Sequence, residues 1–150
     1  MSKLKIETKD NGTYLLEGEI TEDADLGFFE KASSQEILLD LNQVTFINSC
    51  GIRDWIEAQA KFQGHKIVYE NCPQVIVEQM NMVKGFIANG GEVKSFYAPY
   101  YNEKTDQEVK ILIDPSEVKD SKAPVKKADD GTELEFDDIE LQYFSFLKNQ

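Results

Sequence analysis

The side chains best suited to nucleophilic chemistry are two cysteines and one histidine. Cys50 stands at the predicted start of a helix, where a thiol pKa can be lowered. A thiol nucleophile also needs a general base, and His65 is the only histidine of the chain. Because His65 begins a separate predicted strand beyond that helix, nothing in the sequence brings the two side chains together. A thiol-dependent enzyme that uses Cys50 is therefore only the third interpretation, and the alternative for Cys50 and Cys72 is packing.

Cofactor and metal patterns are missing from the sequence. One histidine excludes a multi-histidine metal site, and Gly90-Gly91 matches neither a dinucleotide-binding nor a phosphate-loop fingerprint. Two cysteines without a signal-peptide pattern predict free thiols rather than a disulfide framework. The sequence therefore predicts no cofactor, no metal and no catalytic residue.

The charge of the chain restricts its partners. The 150 residues carry a net charge of −12, so the chain repels phosphate backbones and anionic lipid surfaces. Protein partners, basic ones above all, remain open, whereas nucleic acid and membrane are not predicted. Carboxylates crowd the C-terminal part, and their simplest interpretation is a solvated surface. These residues are Asp129, Asp130, Glu133, Glu135, Asp137, Asp138 and Glu140.

The hydropathy of the chain predicts a cytoplasmic protein. No apolar run approaches the roughly 20 residues that span a bilayer. The first ten residues, MSKLKIETKD, are polar and lack the apolar centre of a signal peptide.

The pattern of residues 1–97 predicts an α/β domain in which strands alternate with helices. A hairpin around Asn11-Gly12 comes first, and Thr21–Lys31 forms a short helix or a connecting loop. Helices follow at Cys50–Phe62, ended by Gly64, and after Pro73, closed by Gly85. The predicted strands are Leu4–Glu7, Thr13–Ile20, Glu36–Leu41 with a continuation at Gln43–Ile47, His65–Glu70 and Val93–Tyr97.

Residues 98–150 are predicted to form a C-terminal extension of this domain. Tyr100-Tyr101 and Val109–Ile113 form a hairpin around the tip 102–107, and the charged, proline-containing stretch Asp114–Ala128 is an irregular linker. A terminal helix is expected over Asp137–Lys148. Its apolar stripe is Leu141, Phe144 and Leu147.

Two turns of this extension share a two-residue spacing. Asn102 and Thr105 flank one turn, and Lys127 and Asp130 flank the other, with Gly131 following. These are the positions at which a zinc ribbon carries its cysteine pairs, so the extension resembles a zinc ribbon that lacks its ligands. The alternative is an ordinary hairpin and loop. Both interpretations predict that no structural zinc binds and that apolar packing orders the extension.

A stronger resemblance lies in the strand Ile37-Leu38-Leu39-Asp40-Leu41 and the segment Val44-Thr45-Phe46-Ile47-Asn48-Ser49-Cys50-Gly51-Ile52. It resembles the signature of STAS domains, as in bacterial anti-sigma-factor antagonists, and the resemblance covers roughly residues 4–97. It implies a small mixed sheet with helices mainly on one side, and a domain that binds partners without catalysis. In the antagonists a kinase-like anti-sigma factor phosphorylates a serine at this turn. Ser49 matches that serine and Gly51 the family glycine.

The predicted partner-binding residues are Asn48, Ser49, Cys50, Gly51 and Arg53. A phosphate on Ser49 would lie at a helix N-terminus, where free N–H groups favour an anion, and Arg53 follows one turn later. Asn48 replaces the usual aspartate, and capping of the helix by Asn48 or Ser49 is the alternative role. The first functional hypothesis is a signalling module that binds a protein partner. The second is a structural or assembly protein that retains the fold without phospho-signalling.

Overall fold

Five strands form the first of two sheets. The computed structural model describes residues 3–10 and 12–149, so the predicted turn residue Asn11 lies outside the described residues. The strand order is β1-β2-β3-β4-β5, with β1 antiparallel to β2 and the remaining neighbours parallel. The strands are β1 (Lys5–Asp10), β2 (Thr13–Ile20), β3 (Glu36–Ile47), β4 (Lys66–Glu70) and β5 (Glu92–Val93).

The long strand β3 supplies the centre of the first core. Its two predicted pieces join into one strand of 12 residues. Ile37, Leu39 and Leu41 are buried against the helices, whereas Leu38 between them lies half-buried on the opposite face. Because this alternation has a period of two, the apolar run covers one face of the sheet more completely than the other. The mixed α/β fold class predicted from the sequence is confirmed.

Three helices accompany this sheet: α1 (Phe28–Lys31), α2 (Ser49–Gln59) and α3 (Gln74–Met82). Trp55 of α2 is fully buried, with its ring edge-on to Phe29 at 5.3 Å and stacked on Phe86 at 5.5 Å between centroids. These aromatic contacts hold α2, and with it the turn that precedes α2, against the sheet.

Three predicted helix boundaries are wrong, at Gly64, Pro73 and Gly85. Gly85 does not close α3, because this helix ends at Met82 with Val83 as its C-cap. Gly64 does not close α2, because the helix ends at Gln59 with Ala60 as its C-cap. Gly64 is instead required by a close approach, since a Cβ there would lie 2.5 Å from the carbonyl oxygen of Gln35. Pro73 is the N-cap of α3 rather than its first helical residue.

Four antiparallel strands form the second sheet in the order β7-β6-β9-β8. They are β6 (Phe96–Asn102), β7 (Gln107–Ile113), β8 (Lys126–Lys127) and β9 (Glu133–Phe136). The predicted strand Val93–Tyr97 is wrong, because Lys94 and Ser95 separate β5 of the first sheet from β6 of the second. The predicted boundary between residues 97 and 98 falls inside β6.

The predicted terminal helix is also wrong in its length and its buried face. Residues 133–136 form β9, α4 comprises only Glu140–Tyr143, and a 3-10 helix follows at Ser145–Asn149. Leu141 is 69% exposed, whereas Tyr143, Phe144 and Phe146 are buried. Since the backbone changes from α to 3-10 geometry after Tyr143, neighbouring aromatic residues reach the core instead of an i, i+3 stripe.

The second sheet and the terminal segment, residues 137–149, are attached to α3. Asn81 donates its amide to the carbonyl oxygen of Tyr143 at 2.9 Å, and its own oxygen accepts from the Phe146 backbone at 2.8 Å and the Ser145 hydroxyl at 2.9 Å. The Phe96 ring lies edge-on to Phe146 at 5.0 Å. None of the helices in residues 3–10 and 12–149 is long and apolar enough to cross a bilayer.

Candidate functional site

The turn predicted to carry function connects β3 to α2. Asn48 has an extended backbone, and its side-chain oxygen accepts a hydrogen bond from the Gly51 N–H at 2.8 Å. Its backbone N–H donates to the carbonyl oxygen of Ile20 at 3.3 Å. Asn48 is therefore the N-cap of α2, which was one of the two capping residues considered from the sequence. Its backbone also connects the turn to the end of β2.

Ser49 is the first residue of α2 and is exposed. Because Asn48 supplies the cap, the Ser49 hydroxyl is not needed for it, and no hydrogen bond to this hydroxyl is formed within residues 3–10 and 12–149. Arg53 lies four residues later on the same side of the helix and is also exposed. Its Nε is 3.5 Å from Oδ1 of Asp54. The hydroxyl is therefore accessible to a modifying enzyme or a partner.

Gly51 is buried where α2 approaches β2 most closely. A Cβ atom at this position would lie 2.0 Å from the carbonyl oxygen of Ile20 and 2.6 Å from its carbonyl carbon. Both atoms belong to the backbone, so neither can move aside as the end of a flexible side chain would. The glycine that the STAS resemblance singles out is thus required by packing against β2.

Glu22 is a member of this site that the sequence did not reveal. Its Oε2 accepts a hydrogen bond from the side-chain amide of Asn48 at 3.0 Å. This bond is the main reason why the pKa of Glu22 is lowered from its ordinary value. The two residues are 26 positions apart, and the one available signal was the acidic loop that contains Glu22, Asp23 and Asp25.

Phe46 adds an exposed aromatic ring close to the turn. It is 45% exposed and is the register partner of Glu19 on β2, whereas its neighbour Ile47 points into the core. The side chain therefore lies on the face of the sheet opposite the helices. Val44 and Ile47 are both buried although they are three residues apart, which strict alternation along a strand does not allow. The reason is a register irregularity between Val44 and Phe46, and simple alternation therefore does not predict where the Phe46 ring points.

Cys50 and His65 are not brought together. Cys50 lies in the first turn of α2 and His65 follows the end of that helix, and 11 helical residues span about 16 Å. Cys50 is half-buried with a free thiol, and His65 is exposed. Cys72 is fully buried, and this burial raises the pKa of its thiol. The geometry thus offers the Cys50 thiol no histidine base.

The two turns with zinc-ribbon spacing do lie close to each other. Lys104 Nζ is 3.1 Å from Oδ2 of Asp130, which joins the tip of the β6–β7 hairpin to the turn before β9. Asn102 is buried, and its side-chain oxygen accepts from the backbone N–H groups of Lys104 and Thr105. Within the residues that the structure describes, no group of three or more His, Cys, Asp or Glu residues is arranged to hold a metal.

A cleft of about 330 Å³ lies at the opposite end of α2 from the turn, beside Phe62 and His65. The buried amide of Gln59 forms part of its wall, donates to the carbonyl oxygen of Phe86 at 3.0 Å and accepts from the Tyr69 hydroxyl. Because this buried amide is already hydrogen-bonded on both sides, it is not free to select a ligand in the cleft.

Comparison with known proteins yields no match for this chain among family models, curated proteins or solved structures. The resemblance to STAS domains therefore rests on the residues of the turn and on the order of the elements. The resemblance of the extension to a zinc ribbon rests on its two turns.

Proposed function

We propose that this chain is a non-catalytic, STAS-like protein-interaction module of bacterial signalling or regulation, acting in the cytoplasm. Its binding surface comprises Asn48, Ser49, Cys50 and Arg53, whereas the predicted binding residue Gly51 is buried and only allows α2 to approach β2. The observation that carries the proposal is the exposed hydroxyl of Ser49 at the first position of α2, next to an asparagine that already caps the helix.

Phosphorylation of Ser49 is the proposed switch. A phosphate on this residue would lie beside backbone N–H groups at the start of an 11-residue helix, where an anion is favoured. Arg53 is exposed one turn further along and offers a positive charge. A dianion at the centre of the surface would change its charge and shape, and so release a partner that fits the free hydroxyl.

The charges around the turn indicate the partner. Glu19 and Glu22 lie beside it, and Glu22 is directly hydrogen-bonded to Asn48. Together with the exposed ring of Phe46, they favour a protein surface with basic groups around an apolar contact. A kinase-like anti-sigma factor or another regulator is the proposed partner, and neither nucleic acid nor membrane is included.

One observation favours a second function, a structural or assembly protein that keeps the fold without phospho-signalling. The Glu22 carboxylate already lies against Asn48, the residue before Ser49. A phosphate on Ser49 would therefore add negative charge next to an existing negative charge. Under this alternative the complex is permanent, and Ser49 is unmodified when the chain is isolated from its source cell.

The decisive experiment compares two substitutions of Ser49. The natural partner is first identified by affinity capture from the source cell, and its affinity is then measured by calorimetry. Ser49→Glu is expected to weaken binding more than Ser49→Ala, because only the former brings a charge to the surface. Ser33→Glu, at an exposed position outside the turn, controls for the added charge.

The outcomes separate the hypotheses. Equal affinities of wild type and both Ser49 variants would remove Ser49 from the mechanism. Phosphate on Ser49, found by mass spectrometry in a partner-kinase reaction, favours signalling. Co-purification in a large complex with Ser49 always unmodified favours assembly.

A further inference from the structure

The second sheet is covered by a layer of two irregular segments. One is the linker of residues 114–125, in which the carbonyl oxygen of Pro124 accepts from the Tyr100 hydroxyl at 2.6 Å. The other is the terminal segment, whose Phe144 ring stacks on Phe136 of β9 at 5.1 Å and lies 6.1 Å from Phe96 of β6. The terminal segment thus contacts the sheet through its aromatic side chains, and the linker contacts it through a backbone carbonyl group.

The same two segments carry large aliphatic side chains that contribute little to that packing. Val125 is 72% exposed, Ile139 63% and Leu141 69%. The segments are joined at Glu140, which accepts from the Ala123 backbone N–H at 2.7 Å and lies 3.7 Å from Lys122 Nζ. Three strongly exposed aliphatic residues thus lie on two adjoining segments, and exposed apolar patches are typical of interaction surfaces.

The charges of this region are unbalanced. Residues 128–147 contain seven carboxylates and no lysine, arginine or histidine. Lys122 pairs with Glu140, and Lys126 pairs with Glu117 at 2.7 Å, whereas Lys127 is exposed. Asp137 and Asp138 precede Ile139 and are exposed. Ile139 and Leu141 are therefore bordered by negative charge, whereas Val125 is followed by Lys126 and Lys127.

We propose that Val125, Ile139 and Leu141, with Asp137 and Asp138 beside them, form a docking surface for a basic segment of a partner protein that carries aliphatic side chains. Apolar contact supplies the affinity of such a surface, and charge complementarity selects the partner and speeds association. A second copy of this chain fits poorly, because each copy has a net charge of −12. This surface lies on the extension and does not depend on the role of Ser49.

The test uses the full chain, labelled with ¹⁵N, and a short synthetic peptide of alternating lysine and leucine. Saturable chemical-shift changes are expected in residues 123–126 and 137–142. The matched peptide of alternating glutamate and leucine is expected to produce none. Ile139→Ser combined with Leu141→Ser is expected to lower the affinity for the lysine–leucine peptide about tenfold or more. Met82→Ser, at an equally exposed apolar position on α3, is expected to leave the affinity unchanged.

A second arm separates local from general charge attraction. Asp137→Asn with Asp138→Asn removes two charges at the surface, and Asp23→Asn with Asp25→Asn removes two from the acidic loop that follows β2. Only the first pair is expected to weaken binding. Equal weakening by both pairs, equal binding of the glutamate peptide, or shifts spread over the acidic loop would overturn the proposal. So would a dimer in sedimentation that Ile139→Ser with Leu141→Ser abolishes, because the occupant would then be a second copy.

Discussion

The two sheets of this protein are stabilised in different ways. The first sheet has a core of alternating aliphatic residues on β3 and neighbouring strands, covered by helices that follow those strands directly in the chain. The second sheet has short strands, and its aromatic cluster combines Phe96 and Phe136 with Phe144 and Phe146 from the end of the chain. The first unit, the first sheet with α1–α3, therefore depends on patterns within each element. The second unit, the second sheet with the terminal segment, depends on contacts that only the folded chain creates.

The largest expected effect distinguishes the aromatic cluster from its exposed neighbours. Phe144→Ala should destabilise the chain by about 3–5 kcal/mol, because it removes a buried ring that contacts β6 and β9. Hydrogen exchange in residues 100–113 should accelerate at the same time. Leu141→Ala, three residues away and exposed, should change the free energy of unfolding by less than about 0.5 kcal/mol. If exchange in Phe144→Ala stays as slow as in wild type, the terminal segment does not hold the second sheet.

A comparable effect is expected at the turn of the first unit. Gly51→Ala should destabilise by roughly 3 kcal/mol, because the new Cβ overlaps the Ile20 carbonyl group. Gly27→Ala is the matched control, since its Cβ would meet only the flexible Asp25 carboxylate at 3.1 Å. Thermal and urea unfolding of both variants check the comparison. Equal stability of the two variants would mean that α2 can shift away from β2 without loss.

The junction of the two units should respond less strongly. Asn81→Ala removes three hydrogen bonds between α3 and the terminal segment and should destabilise by about 2 kcal/mol. Exchange of the Phe146 amide should accelerate before that of β3. Asn89→Ala at an exposed loop position serves as the reference. A loss spread evenly over both sheets would show instead that the two units unfold as one.

The smallest effect concerns the cap of α2. Asn48→Ala should destabilise by about 1 kcal/mol through loss of the cap. It should also raise the pKa of Glu22, because the hydrogen bond from Asn48 is the main cause of its lowered value. In wild type the stabilisation from the hydrogen bond between Asn48 and ionised Glu22 is present above the ordinary carboxyl pKa. It is lost as the pH falls through the folded-state pKa of Glu22. A carbon-detected NMR titration measures the shift, and an unchanged Glu22 pKa in the variant would contradict the assignment.

Element order in the first unit was predictable because its residues follow local rules. Thr13–Ile20 is a strand with the predicted bounds, and the change from strand to helix at Asn48 follows from a capping residue between two apolar periodicities. Gly64 shows where such rules fail. A glycine after an apolar helix predicts a C-cap, yet this one is required by contact with Gln35, a residue distant in the sequence.

The sequence by itself determined the α/β class, the hairpin at the start and the position of Ser49 at the beginning of a helix. Hydrophobic period and capping chemistry are local properties, and a single chain displays them. Only the tertiary structure decided that Glu22 meets Asn48, that Lys94 and Ser95 separate two sheets, and that Tyr143, Phe144 and Phe146 rather than Leu141 are buried. These outcomes depend on which distant segments pack against each other, and burial of aromatic surface outweighs the weak preference of a short segment to continue as a helix.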